Sequence, residues 1–129
     1  MQKGDILINS TGVGTAGRVT MFDFDGDFVA DSHITILRID PTIADPTYVL
    51  YALGIGIGFK NIEKMAQGQS GQIELSLTII QNIQIPLPSL TTQKEIVAKI
   101  EKLEAEIIKA QNVIDTALEQ KQAILKKYL

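Results

Sequence analysis

From Thr92 to Tyr128 the chain runs for 37 residues without a glycine or a proline. Within that stretch apolar residues return in alternating steps of four and three: Ile96, Ile100, Leu103, Ile107, Ala110, Ile114, Ala117 and Ile124, with Lys121 as the one charged interruption. A second row, Val97, Leu118 and Leu125, widens the apolar face toward both ends. This spacing is that of a helix with a seam along one side. Thr92-Gln-Lys-Glu95 matches a capping box, so the helix is predicted to start there, with Thr92 accepting from the third helical amide. At 1.5 Å per residue the rod is roughly 55 Å long, several times the average helix of ~11 residues. The residues that precede it are too few to cover such a rod. Ile96, Ile100, Leu103, Ile107, Ile114, Leu118, Ile124 and Leu125 are therefore expected to meet another helix.

Upstream, Pro86-Leu-Pro88 marks an abrupt change of composition and the clearest boundary, which predicts a domain over 1–90 and a helix over 91–129. Asp5-Ile-Leu-Ile-Asn9 and Val19-Thr-Met-Phe22 are β-friendly and flank a glycine-rich segment, Ser10–Gly17. Asp23–Asp27 contains Asp-Gly and reads as a turn. Phe28-Val-Ala30 is expected as a short strand, and His33–Ile39 as a longer one ended by Asp40-Pro41. Asp45-Pro46 supplies a cap and a first-turn proline for a helix through Leu53. Gly54, Gly56 and Gly58 interrupt it before a second helical piece, Phe59–Met65. Ser76 can cap one turn at Leu77–Gln81, and Ile83-Gln-Ile85 alternates like a strand. The expected class is α+β: a small mixed or antiparallel sheet with short helices, then one long coiled-coil-type helix.

Several function classes are disfavoured by residue content. There is no cysteine and one histidine, His33, so thiolate chemistry and a histidine-based metal site lack their ligands. Met1–Asp5 lacks the basic-then-apolar pattern of a signal peptide, and the longest apolar run, Tyr48–Phe59, falls short of the ~20 residues that span a bilayer. A cytoplasmic protein without a membrane segment is expected. Residues 1–90 carry five Lys/Arg against nine Asp/Glu, a balance of −4, whereas 91–129 carry seven Lys against six acids. A free-standing DNA-binding domain usually shows a basic face, and this charge balance argues against one.

The motifs divide accordingly. Gly12-Val-Gly-Thr-Ala-Gly17 matches the dinucleotide fingerprint by letter, but that fingerprint needs a helix beginning inside it, and Arg18–Phe22 favours a strand. A hairpin loop is the better reading, and no cofactor is expected. Asp23, Asp25 and Asp27 alternate without the glycine and bidentate glutamate of a calcium loop, so a solvated turn is favoured. Asp31-Ser32-His33 lie side by side on a strand and cannot form a relay among themselves; a strand-opening turn with a hydrogen-bonded histidine is favoured. Gln67-Gly-Gln-Ser-Gly-Gln72 is a polar loop whose side chains can donate and accept, as base edges and phosphates require, although a plain surface loop has the same composition.

The segment Gln72–Glu104, with Leu75-Ser before a short helix, Ile85-Pro-Leu-Pro88, and Gln93-Lys-Glu-Ile-Val97 opening the long helix, closely resembles the end of a target-recognition domain in type I restriction–modification specificity subunits. Gly4-Asp-Ile-Leu-Ile8 leading into Gly14-Thr-Ala-Gly-Arg-Val19 is similar to that family's central hairpin, and Gln122–Leu129 to the end of its helical spacer. The resemblance implies a subunit that reads a half-site in double-stranded DNA. It also implies docking to a DNA methyltransferase (modification) subunit and, in type I complexes, to a restriction subunit, with no catalytic residues of its own. It implies antiparallel pairing of spacer helices, hence a homodimer through the long helix. Complete subunits carry two recognition domains and two spacers, and their domains begin several tens of residues before the Gly-Asp hairpin. A fragment, a split gene product or a half-subunit is therefore expected. Ser10, Thr11, Arg18, Lys60, Gln67, Gln69, Ser70 and Gln72 are carried over as candidate DNA contacts. Two rivals remain: a truncated, interaction-only protein that dimerises and binds methyltransferase without reading DNA, and a nucleotide-binding enzyme built on Gly12–Gly17.

Overall fold

The computed structural model describes residues 1–12, 14–56 and 74–129. Two compact units are present, Met1–Lys94 and Glu95–Leu129. In the first, β1 (Ile6–Asn9), β2 (Val19–Met21) and β3 (Ile34–Leu37) form an antiparallel sheet in the order β2-β1-β3. The earliest strand is thus the central one. Its register pairs Ile6 with Met21 on one side and with Leu37 on the other. Alternation on β1 sends Ile6 and Ile8 fully into the core, where both are 0% exposed. The hairpin between β1 and β2 closes at Gly17, whose φ of 85° admits the turn and whose amide donates to the Asn9 carbonyl at 2.8 Å.

Helix α1 (Pro46–Gly54) begins as the sequence predicts, with the Asp45 carboxylate accepting from the Tyr48 amide and proline in the first turn. It packs closely on β2 at Gly54, where a Cβ would stand 3.0 Å from Val19 Cγ2 and that methyl would have to give way by a few tenths of an ångström. Helix α2 (Leu77–Gln81) is capped by Ser76, also as expected. Phe22, Val49, Leu53, Leu75 and Ile80 complete the core around Ile6 and Ile8. Beside them lies an open apolar groove of about 340 Å³ between β3 and the helices, lined by Leu37, Ile43, Val49, Ile83, Ile85 and Leu87 among others.

Helix α3 (Leu90–Tyr128) has 39 residues, roughly 58 Å at the standard rise. Its cap departs from expectation. The helix begins at Leu90, and the Ser89 hydroxyl, not that of Thr92, accepts from the backbone, taking the Thr92 amide at 3.3 Å. Serine directly after Pro88 is the better cap because proline holds the preceding chain extended and leaves the first turn open to it. Gln93 is 0% exposed: its Oε1 accepts from the Asp45 amide and its Nε2 donates to the Pro88 carbonyl, both at 2.8 Å.

Two expected strands are absent from the described structure. Phe28–Ala30 has no ladder partner; the Phe28 ring instead packs on Phe22 and Phe24, with centroids 5.4 and 6.3 Å away, and its carbonyl accepts from the Met1 amino terminus. Ile83–Ile85 does alternate in burial, but it feeds the apolar groove rather than a sheet, between α2 and the two prolines. The expected second helical piece, Phe59–Met65, lies outside the described residues.

Asp5, 2% exposed, is held by the guanidinium of Arg38 through two bonds of 2.8 Å and by the Gln2 amide at 2.7 Å. The Arg38 bond, with burial opposing it, pulls the Asp5 carboxyl from 3.8 down to about 2. Because the folded value lies below the unfolded one, the pair stabilises the fold above pH ~4 and ceases to do so as pH falls toward 2. Asp5→Asn should lower the melting temperature at pH 7 by several degrees and flatten the decline of melting temperature below pH 4, read by thermal denaturation across pH.

Candidate nucleic-acid interface

At the end of the sheet where β1 stops and β3 starts, three chain segments converge. The Ser10 amide donates to the His33 carbonyl at 2.7 Å, and the Leu75 amide donates to the Ser10 carbonyl at 2.7 Å. Thr11 and Glu74 form an isolated antiparallel bridge. The hairpin loop is held from within: Asn9 Nδ2 donates to the Thr15 carbonyl, and Thr15 Oγ1 donates to the Thr11 carbonyl, each at 3.2 Å. These bonds take up backbone groups that would otherwise face water, so the loop presents side chains.

The sequence candidates separate on this frame. Ser10 is 6% exposed and its hydroxyl is engaged with Thr35 Oγ1, so it binds β1 to β3 and offers little to a ligand. Thr11 is half-buried, and its Oγ1 stands 2.8 Å from His33 Nδ1. Arg18 is exposed at the start of β2 and borders a depression of about 430 Å³ formed with Val19, Thr20, Leu50, Tyr51, Gly54 and Ile55. Lys3 pairs with Asp23 and Asp25, and Arg38 with Asp5. Among the described lysines and arginines of residues 1–90, Arg18 is thus the side chain left outside an ion pair. Lys60, Gln67, Gln69, Ser70 and Gln72 lie outside the described residues; Glu74, two residues after Gln72, stands beside Thr11.

Sequence reasoning set His33 aside as a hydrogen-bonded turn residue. The hydrogen bond is there, and so is the turn, in which Asp31 Oδ1 accepts from the His33 amide at 2.7 Å. What the sequence did not signal is that the ring belongs to the same sheet end as Thr11, because the β1–β3 register that brings them together spans more than twenty residues. Gly12–Gly17 forms a turn with no helix starting within its described residues, as the hairpin reading expects. Among the described residues no group of three or more acidic or histidine side chains could hold a metal, and no helix is long and apolar enough to cross a membrane.

The chain belongs to the type I restriction modification DNA specificity domain family, whose profile matches residues 1–120. It is also 29% identical over 128 residues to a Haemophilus influenzae protein named as a type I restriction enzyme specificity subunit. That alignment takes in 98% of this chain and 31% of the relative, so the chain spans about a third of the length of the protein it matches.

Proposed function

We propose that the chain is a non-catalytic DNA sequence-recognition subunit, or half-subunit, of a type I restriction–modification methyltransferase complex. In this reading residues 1–90 form the recognition domain and 91–129 the spacer helix. The observation that carries the reading is the family match, which extends without a break through the sheet unit and most of the helix. Thr11 and Arg18, with Lys60, Gln67, Gln69, Ser70 and Gln72, supply contacts to double-stranded DNA, and Ser10 holds the surface they stand on. Base edges give specificity and phosphates give affinity. The partners are a methyltransferase subunit and, in restricting complexes, a restriction subunit, all in the cytoplasm.

A second copy of the chain is the partner proposed for α3. Leu103, Ile107, Ile114, Leu118, Ile124 and Leu125 are each more than half exposed. In a parallel pair the two Lys121 ammonium groups would meet in the seam, and Ala110 and Ala117 would each face themselves and leave underfilled layers. An antiparallel pair centred near Asn112 places Ile107 against Ala117 of the second copy, Ile114 against Ala110, Ile100 against Ile124 and Leu103 against Lys121. Large then meets small, and the lysines stand apart. Val97 near one end of the helix and Leu125 near the other widen the apolar face at both ends of such a pair.

Duplex binding at varied salt tests the DNA role. Affinity should fall steeply as salt rises, and Arg18→Ala should weaken binding about three- to tenfold while reducing the salt slope by about one phosphate contact. Absence of salt-dependent binding at low ionic strength would favour the interaction-only reading, which the −4 balance of residues 1–90 would then explain.

A further inference from the structure

We infer that His33 is a phosphate-contacting residue of the DNA surface, oriented by Thr11 and charged when DNA binds. The inference rests on the DNA reading and adds to it a residue and a linked proton. The imidazole is exposed, yet it is fixed from two sides: its backbone by the Asp31 carboxylate and the Ser10 amide, its Nδ1 by the Thr11 hydroxyl at 2.8 Å. A hydroxyl both donates and accepts. Thr11 can therefore donate to Nδ1 of the neutral ring and accept from Nδ1–H of the cation, holding the same ring position in both states. Nε2 makes no bond with a described residue, and in the cation it carries a proton free to donate outward.

Charge gives that proton a use. The described lysines and arginines of residues 1–90 are Lys3, Arg18 and Arg38, and two of them are consumed by Asp23, Asp25 and Asp5. At this sheet end the charged groups are Arg18 across β1, Asp31 in the turn and Glu74 opposite Thr11. One free cation against two carboxylates makes a poor phosphate surface. Protonated His33 balances the charge, and an approaching phosphate favours that protonation because it interacts better with imidazolium than with imidazole. Binding is then coupled to uptake of a proton at Nε2, Nδ1 retaining its bond to Thr11. Affinity should decline as pH rises and the cation facing the phosphate is lost.

The chain holds no second histidine to confuse the result. The test uses the full chain and a random-sequence duplex of about 30 base pairs at low salt, where binding is phosphate-driven and no target sequence need be known. Wild type should lose roughly tenfold in affinity between pH 6 and pH 8, while His33→Gln should bind at about the wild-type pH 8 level throughout. Thr11→Val should show a weakened pH dependence with the ring still present. The exposed site makes unfolding of the variants easy to check by thermal denaturation. In parallel, the Cε1–H resonance of the single imidazole should titrate with a higher midpoint when duplex is present. A His33→Gln variant with an undiminished pH slope, or an imidazole titration that duplex leaves in place, overturns the inference while leaving the DNA reading intact. Failure of wild type to bind duplex at any pH defeats the DNA reading itself.

Discussion

Gln93→Ala is expected to cost about 3 kcal/mol of the stability of the Met1–Lys94 unit, a large fraction of what a unit of that size possesses. Gln93 sits in the first full turn of α3 with no exposed surface, and its amide answers one donor and one acceptor, the Asp45 amide and the Pro88 carbonyl. Truncation leaves both without a partner and opens a void. Gln93→Leu separates the two contributions: volume is kept, the hydrogen bonds are not, and about 2 kcal/mol should still be lost. Urea titration of the full chain, followed by near-ultraviolet signals from Tyr48 and its neighbours, reads the difference. Leucine as stable as glutamine would mean that the hydrogen bonds contribute nothing net.

Ile107→Asp combined with Ile114→Asp should convert the proposed dimer to monomer. Four buried isoleucines are lost per dimer, each contributing about 2 kcal/mol when removed from water, and four carboxylates take their place. The dissociation constant should rise by at least ~1,000-fold. Sedimentation equilibrium would show the change of mass, and circular dichroism would show whether α3 keeps its helicity. Direction of pairing has its own signature. Lys121→Cys alone should not form a symmetric disulfide, whereas Leu103→Cys with Lys121→Cys in one chain should join two copies twice. A symmetric Lys121→Cys cross-link would reverse the proposed orientation.

Much of this architecture was legible from local signals, and the misses share one cause. Asp45-Pro46 and Ser76 announced α1 and α2, and the four–three repeat announced α3, because caps and periodicity act within a few residues. Ile83–Ile85 and Phe28–Ala30 have strand-like composition, but a strand also needs a neighbour with free edge groups. Neither segment pairs with a strand among the described residues. The neighbours they do have, an apolar groove and an aromatic cluster, are fixed by residues far along the chain. The misplaced cap at Thr92 is a nearer case: two hydroxyl residues three apart both fit, and only the bond from the Thr92 amide to the Ser89 hydroxyl shows which one the backbone uses. Of the candidate site, Thr11 and Arg18 could be read from a hairpin pattern. His33 could not, since its membership depends on the pairing of β1 with β3.

The clasp made by Gln93 also orders events during synthesis. Asp45 and Pro88 have left the ribosome before residue 93 does, so the sheet unit can assemble most of its core yet cannot close this last junction until the first turn of α3 has emerged. The seam residues from Ile96 onward follow still later. A nascent chain would thus finish its sheet unit before it displays the apolar stripe proposed to pair with a second copy, which shortens the time that stripe can meet unfolded neighbours.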